Sequence, residues 1–387
     1  MRIIIFISQL HISGGMEHTV VEKANFLSNQ GHKVMFVTYA DKGRHPFFKL
    51  SDNIGLTNID SRYFDAYKYR IFRKIWYLAK SKVLFKKQFR EIIAAFKPDM
   101  IDIITPNTRF YIPNIIKLAK SARVPIAMEC HVAYHSNMSK PPLAERIVNC
   151  LFTPLKAIRK VDLLITLTSG DAECWRNNKI KNIKIIPNPI QYPHCLTDDI
   201  NREQDRIICV GRLDSQKRFD RLIDSFALIA EKHPTWHIDI YGEGKDKLML
   251  ENQIANKALS DRIIINPPTQ AIYAEYSKSQ FLVLSSDYEG LPLVIIESMA
   301  CGTPVVACDC PYGPSDIIED GITGLIAKMN TNDLANKMDW MISHEKERRL
   351  MGKKARIAAE RYKSDIVMKE WEQAYLSIIN NNCYLAE

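Results

Sequence analysis

The 387-residue chain lacks any run of about 18 apolar residues, so nothing in it reads as a membrane-spanning helix. Its opening, Met1-Arg2-Ile3-Ile4-Ile5-Phe6-Ile7-Ser8, is apolar but too short for a signal sequence with a cleavage site, and a cytoplasmic protein is expected. Cysteine is sparse. The nine cysteines, at 130, 150, 174, 195, 209, 301, 308, 310 and 383, are odd in number and scattered, unlike a disulfide framework, so reduced thiols are expected. Cys308-Asp309-Cys310 is the one close pair, and with no second Cys or His pair at a suitable spacing it makes a poor zinc site. A composition of 46% hydrophobic and 25% charged residues argues against disorder or a coiled coil. The length exceeds what one hydrophobic core usually serves, so two domains are expected.

Acidic residues are outnumbered, 44 against 53 Lys and Arg, for a formal charge of +9. That excess favours an anionic partner: nucleic acid, a membrane face or a diphosphate-bearing substrate. Much of it falls between Tyr67 and Phe96, where Lys68, Arg70, Arg73, Lys74, Lys80, Lys82, Lys86, Lys87 and Arg90 are opposed only by Glu91. Apolar residues at Phe72, Ile75, Trp76, Ala79 and Val83 recur at three- and four-residue steps, which predicts an amphipathic helix with this stripe buried. The basic face reads either as the solvated side of a soluble domain or as a surface resting on anionic lipid, where each basic residue contributes about 1 kcal/mol. No nucleic-acid reader motif accompanies it, and nucleic acid is not an expected partner.

Short apolar runs supply the fold class. Ile3 to Ile7 reads as a buried parallel strand, followed by a polar loop with Gly14-Gly15, a helix over Met16 to Leu27 and a strand over Lys33 to Thr38. Strand, glycine loop, helix, strand is the opening of a doubly wound α/β domain. The double glycine is either a tight turn or a place where backbone closely approaches a ligand. Met100 to Ile104, Val124 to Met128 and Leu163 to Thr166 read as further strands. His131 follows the second of these, at the strand end where open α/β sheets bind ligands, although a lone histidine is more often structural. Thr168, Ser169 and Asp171 open the next helix as caps or ligands.

A second series starts at Ile207 to Val210. Its loop, Gly211 to Arg218, is bracketed by Arg212 and Lys217 before a helix from Phe219. Two cations at a strand end beside a helix N-terminus make a diphosphate clamp; a surface salt bridge is the other reading. Later, the buried run Phe281 to Leu284 leads through Ser285-Ser286-Asp287-Tyr288-Glu289-Gly290-Leu291 to Pro292 and a helix. Such a helix start presents unpaired N–H groups to a phosphate. Glu289 precedes the helix and Glu297 lies eight residues on, a span of about 12 Å, so the two carboxylates suit opposite ends of an extended ligand or an ordinary surface pair. A carboxylate accepts from vicinal sugar or ribose hydroxyls.

The wording Glu289-Gly290-Leu291-Pro292 to Glu297, then Ser298-Met299-Ala300-Cys301-Gly302-Thr303-Pro304-Val305-Val306, resembles the donor-site signature of GT4-type retaining glycosyltransferases. The resemblance continues through Gly313 and Gly324, recurs in Val210-Gly211-Arg212-Leu213-Asp214 with Lys217, and includes Gly14-Gly15-Met16-Glu17. It covers essentially the whole chain, points to the branch that builds bacterial surface polysaccharides and lipid-linked glycans, and implies the GT-B fold: two doubly wound Rossmann-like domains facing a central cleft. The domains are then expected at 1–198 for the acceptor and 199–364 for the donor, with 365–387 as a helix crossing back. The implied reaction moves a hexose or N-acetylhexosamine, with retention, from a nucleotide sugar to a glycan or a polyprenyl-diphosphate or other lipid-linked acceptor. UDP is the expected nucleotide, with GDP open.

By the same resemblance, Gly14 and Gly15 face the donor diphosphate, and Arg212, Lys217 and the backbone at Gly290 and Leu291 hold it as it leaves. Glu297 takes the ribose hydroxyls, while Glu289 and His131 hold the sugar and its developing charge. No Asp-x-Asp stands at a strand end of the second half, so neither metal nor cofactor is expected. Pro267-Pro268 stands where relatives often carry a glycine, which leaves the nucleobase contacts unassigned. The basic helix implies peripheral contact with the inner face of the plasma membrane. The competing readings are a nucleotide-sugar epimerase or phosphorylase of the same fold, and a non-catalytic membrane- or nucleic-acid-binding protein.

Overall fold

Strands whose every residue is apolar need cover on both faces, which parallel sheets obtain from crossover helices. In the computed structural model, which describes residues 1–105, 109–132, 134, 147, 154–193 and 205–383, this happens twice. The chain forms two compact units, Met1–Ile186 with Met368–Glu387, and Pro187–Val367.

The first unit runs β1 (Arg2–Phe6), α1 (Gly15–Asn29), β2 (Lys33–Thr38), β3 (Gly55–Asn58), a 3-10 turn (Tyr63–Lys68), α2 (Ile71–Phe96), β4 (Met100–Thr105), α3 (Ile112–Ser121), β5 (Ile126–Cys130), α4 (Pro154–Ile158), β6 (Leu163–Thr166), α5 (Ser169–Asn177) and β7 (Ile183–Ile185). Its seven strands are parallel in the order β3-β2-β1-β4-β5-β6-β7. The order reverses between β1 and β4, so the loop carrying Gly14-Gly15 leaves the sheet at the switch point. Ile3, Ile4, Ile5 and Phe6 of β1 are wholly buried. Phe6, Tyr39, Phe85, Phe89 and Tyr111 form one aromatic cluster, and Tyr111 hydroxyl is satisfied by Ser81 at 2.6 Å and Ser61 at 2.7 Å.

The second unit runs β8 (Arg206–Val210), α6 (Phe219–Ala227), β9 (His237–Tyr241), α7 (Lys247–Asn256), β10 (Ile263–Asn266), α8 (Ile272–Lys278), β11 (Phe281–Leu284), α9 (Leu293–Ala300), β12 (Val305–Cys308), α10 (Pro314–Ile317), β13 (Gly324–Ala327), α11 (Thr331–Ser343) and α12 (Glu345–Ala359). Its parallel order is β10-β9-β8-β11-β12-β13, reversing between β8 and β11. The loops bearing Arg212 and Glu289 are therefore neighbours at a switch point, where ligands of such sheets bind. The last helix, α13 (Ser364–Cys383), begins in the second unit and belongs to the first from Met368. Pro187 to Tyr192 goes with the second unit because Ile190 N–H donates to Tyr362 at 3.0 Å and Tyr192 hydroxyl donates to Arg356 carbonyl at 3.2 Å. The break expected after residue 198 lies outside the described residues.

One expectation is overturned. The buried stripe of α2 is Leu78, Ser81, Phe85, Phe89 and Ile93, while Phe72, Trp76 and Val83 are 86%, 57% and 66% exposed. Both series keep helical spacing, and the one with the larger aromatic payload faces the sheet. Apolar side chains are thus interleaved with the exposed cations Arg73, Lys80, Lys87 and Arg90.

A close backbone approach positions the loop after β8. A Cβ on Gly242 would stand 1.9 Å from Gly211 carbonyl oxygen. We expect Gly242→Ala to cost about 1–3 kcal/mol of unfolding free energy through overpacking, read as a lower denaturant midpoint with an unchanged slope.

Candidate active site

The loops after β8 and β11 are stitched together. Asp287 N–H donates to Gln216 carbonyl at 2.9 Å, Gln216 Nε2 to Tyr288 carbonyl at 2.9 Å, and Ser285 Oγ to Lys217 carbonyl at 2.8 Å. Below them Arg221, 7% exposed, donates to Ser285 carbonyl at 3.0 Å and pairs with Asp287 at 2.5 Å; Arg218 also reaches Asp287 at 3.0 Å. This bracing brings Lys217 Nζ to 2.7 Å from Glu289 Oε1, which also accepts from Ser286 Oγ at 2.5 Å. Glu289 is 7% exposed and Ser286 fully buried. Arg212 stands differently, its side chain 73% exposed and only loosely held by Asp214 and Gln216, both at 3.4 Å. So one cation is fixed on a carboxylate and the other is loosely tethered beside it.

Gly290 and Leu291 lead to Pro292, which caps α9 at φ −73°. Gly313, in the loop after β12, makes room for this turn. Its φ is +109°, and a Cβ there would lie 2.5 Å from Pro292 Cδ. Glu297, one turn into α9, accepts from Tyr276 hydroxyl at 3.0 Å, and burial raises its carboxyl above the usual range. Its second oxygen has no hydrogen bond among the described residues.

The first unit holds a polar cluster at its core. Lys23, 1% exposed on α1, donates to Asp102 at 2.8 Å, to Tyr375 at 2.7 Å and to Glu129, and lies 4.4 Å from the Trp371 ring centre. Tyr375 hydroxyl lies 2.6 Å from Asp102 and 2.8 Å from Glu129. Glu129 Oε2 holds His131 Nε2 at 2.8 Å. A carboxylate accepts, so Nε2 carries the proton and Nδ1 presents a lone pair. Burial, and then the Lys23 ammonium, push the His131 pKa down to about 4, which keeps the ring neutral. His131 Nδ1 and Glu17 Oε1 are both buried without a hydrogen-bond partner among the described residues. Burial raises the Glu17 carboxyl, whose oxygen stands where a Cβ on Gly14 would fall, while Gly15 has nothing within 4 Å on that side.

The sequence-derived residues thus form two groups. Arg212, Lys217, Glu289, Gly290, Leu291 and Glu297 gather around the second unit's switch point; in the first unit Gly14 and Gly15 stand at the start of α1 and His131 follows β5. Sequence reasoning missed Ser286, Tyr276, Lys23, Asp102, Glu129 and Tyr375. A signal existed for two of them, because Asp102 and Glu129 interrupt apolar runs in which an unpaired charge would be costly.

Two doubly wound units in one chain make the GT-B architecture. Residues 13–192 match the family model of Glycosyltransferase Family 4, and residues 198–358 match that of Glycosyl transferases group 1. With most of its length in these two matches, the chain belongs to the glycosyltransferases. An uncharacterized glycosyltransferase of Haemophilus influenzae is 27% identical over 370 residues, covering 95% of this chain and 98% of its own. The GalNAc-alpha-(1->4)-GalNAc-alpha-(1->3)-diNAcBac-PP-undecaprenol alpha-1,4-N-acetyl-D-galactosaminyltransferase of Campylobacter jejuni is 24% identical over 386 residues, 98% of this chain and 99% of that protein. HepE of Anabaena, crystallised with UDP, superposes with a TM-score of 0.72 at 17% identity over 97% of this chain and 100% of its own, a likeness of fold.

The neutral imidazole has a thermodynamic signature. Unfolded, His131 titrates near 6.5, and between there and its folded value the unfolded chain binds the extra proton. We therefore expect stability to fall as pH drops through this window, by on the order of 3 kcal/mol from this group, with no further loss from it below the folded pKa. Denaturation of wild type against His131→Gln across pH isolates it, since the variant lacks this component.

Proposed function

We propose that this glycosyltransferase moves a hexose or N-acetylhexosamine, with retention, from a UDP-sugar to a glycan carried on a polyprenyl diphosphate or another lipid. The observation that carries the reading is the Lys217–Glu289 pair, 2.7 Å apart on adjoining loops at the switch point, with exposed Arg212 beside it. The resemblance of these loops to the family's donor signature supports the assignment, as do the crystallised Anabaena protein with UDP and the Campylobacter enzyme named for an undecaprenol-linked acceptor.

Departure of the nucleoside diphosphate generates charge, so groups that stabilise it act on the barrier. Arg212 binds the diphosphate bidentately, Lys217 adds a second positive charge, and the N–H groups of Gly290, Leu291 and the first turn of α9 complete the cradle. Glu289, steadied by Ser286, accepts from the sugar hydroxyls and faces the positive charge that develops on the ring. Glu297 uses the oxygen not taken by Tyr276 for the ribose. In the first unit, Gly14 and Gly15 give the diphosphate backbone access, and His131 Nδ1 accepts a sugar hydroxyl. Two basic side chains supply the neutralisation that a divalent ion would otherwise provide, so the reaction is metal-independent.

Peripheral contact with an anionic bilayer rests on α2, where exposed Phe72, Trp76 and Val83 alternate with cations. An apolar face rimmed by Lys and Arg is what an interfacial helix requires. No described helix is long and apolar enough to cross a membrane.

Donor turnover, followed as UDP release from a panel of UDP-sugars with lipid-linked glycan present, tests the assignment. Arg212→Ala and Glu289→Gln are each expected to lower kcat at least a hundredfold, on the order of 3 kcal/mol, while remaining folded. Near-normal rates would mean the site is misassigned. EDTA is expected to leave wild-type turnover unchanged; loss restored by magnesium or manganese would end the metal-independent reading.

A further inference from the structure

Between α2 and α3, away from the loops assigned to the donor, lies a pocket of 380 Å³ whose lining includes Lys86, Arg90, Ile93, Asn114, Lys117 and Leu118. Ile93 and Leu118, each 8% exposed, form an apolar floor. The three cations have no ion-pair or hydrogen-bond partner among the described residues, unlike Lys120 one turn away, which pairs with Asp162 at 2.6 Å. Asn114 is 7% exposed, and its Nδ2 donor is buried without an acceptor. A native protein rarely leaves such a donor unsatisfied, and three cations lining the same pocket call for an anion with several acceptor oxygens.

The pocket continues the exposed face of α2. Phe72 and Arg90 are eighteen residues apart, which is five turns at about 3.6 residues each, so they share one azimuth with Trp76 and Val83 close beside it. The apolar stripe that would enter a bilayer therefore runs onto the cationic rim. The carbonyl end of α3, at Ser121, disfavours negative charge, which sets an anion back toward Asn114 and Lys117 and leaves the apolar floor for carbon.

We propose that this pocket is a binding site for the phosphate-bearing headgroup of a bilayer lipid, with the phosphate oxygens on Lys86, Arg90, Lys117 and the Asn114 amide and the adjoining lipid carbon on Ile93 and Leu118. This deepens the membrane contact proposed above and rests on it. Diffuse attraction, in which each cation counts about equally, becomes recognition of one headgroup chemistry at one place.

The test is co-sedimentation of the full chain with vesicles of phosphatidylcholine containing either phosphatidylglycerol or oleate at matched surface charge, so that only one set offers an anionic phosphate. Wild type should prefer phosphatidylglycerol at least tenfold. Lys87→Gln, outside the pocket, should cost about fivefold on both, as expected for one unit of diffuse charge. Lys86→Gln should cost fiftyfold or more on phosphatidylglycerol and only about fivefold on oleate. Asn114→Leu changes no charge and removes an unsatisfied donor, so it should hold or raise Tm while losing about tenfold on phosphatidylglycerol alone. Inorganic phosphate at millimolar concentration should compete weakly; if it abolishes the preference without vesicles of either kind being favoured, the site is for free phosphate and the headgroup assignment fails. Equal losses for Lys86→Gln and Lys87→Gln, or no preference between the vesicles, would overturn the pocket while leaving peripheral membrane contact standing. No binding of wild type to any anionic vesicle would overturn both.

Discussion

The ion pair between Lys217 and Glu289 is the constraint on which the arrangement at the second unit's switch point depends. It joins loops that leave adjacent strands, β8 and β11, and both side chains are largely withdrawn from water. Removing one partner would leave the other charge buried and unpaired, which typically costs about 3–5 kcal/mol. The surrounding bonds, from Arg221 to Ser285 and from Gln216 to Tyr288, hold the pair in place and keep the start of α9 directed toward it. In the proposed reaction, a carboxylate and an ammonium fixed this closely meet a ligand with positive charge developing on one side and negative charge on the other, as a sugar separates from a diphosphate.

The first unit solves a related problem with a deeper cluster. Lys23, Asp102, Glu129 and Tyr375 hydrogen-bond one another inside the core, with Asp102 Oδ1 left without a partner among the described residues, and through Glu129 they fix which nitrogen of His131 carries the proton. Tyr375 comes from the end of the chain, so residues more than two hundred positions downstream support a side chain presented after β5. A network of this kind costs desolvation and returns a defined orientation, here an imidazole lone pair and a Glu17 oxygen both without a partner among the described residues.

Much of this was legible in the sequence because parallel strands announce themselves as short, unbroken apolar runs. β1, β4, β6, β8 and β11 lie close to where those runs predict, and the loops bearing Arg212 and Glu289 follow two of them. Spacing alone leaves a donor clamp and a surface salt bridge both open, and the resemblance to the family's wording is what favours the clamp. What the sequence concealed were choices between equivalent patterns. Two apolar series share α2 at helical spacing, and only packing decides that Phe85 and Phe89 face inward while Phe72 and Trp76 face out. Partnerships distant in sequence, such as Lys23 with Tyr375 or Tyr276 with Glu297, depend on sheet order, and no local pattern encodes that.

A crystal structure with UDP bound in the presence of EDTA tests the central claim most directly. The account predicts diphosphate oxygens within hydrogen-bond distance of Arg212 guanidinium, Lys217 Nζ and the N–H groups at the start of α9, with the ribose on Glu297. A nucleotide bound away from the β8 and β11 loops, or one whose diphosphate is held through a divalent ion with Arg212 left in solvent, would contradict it.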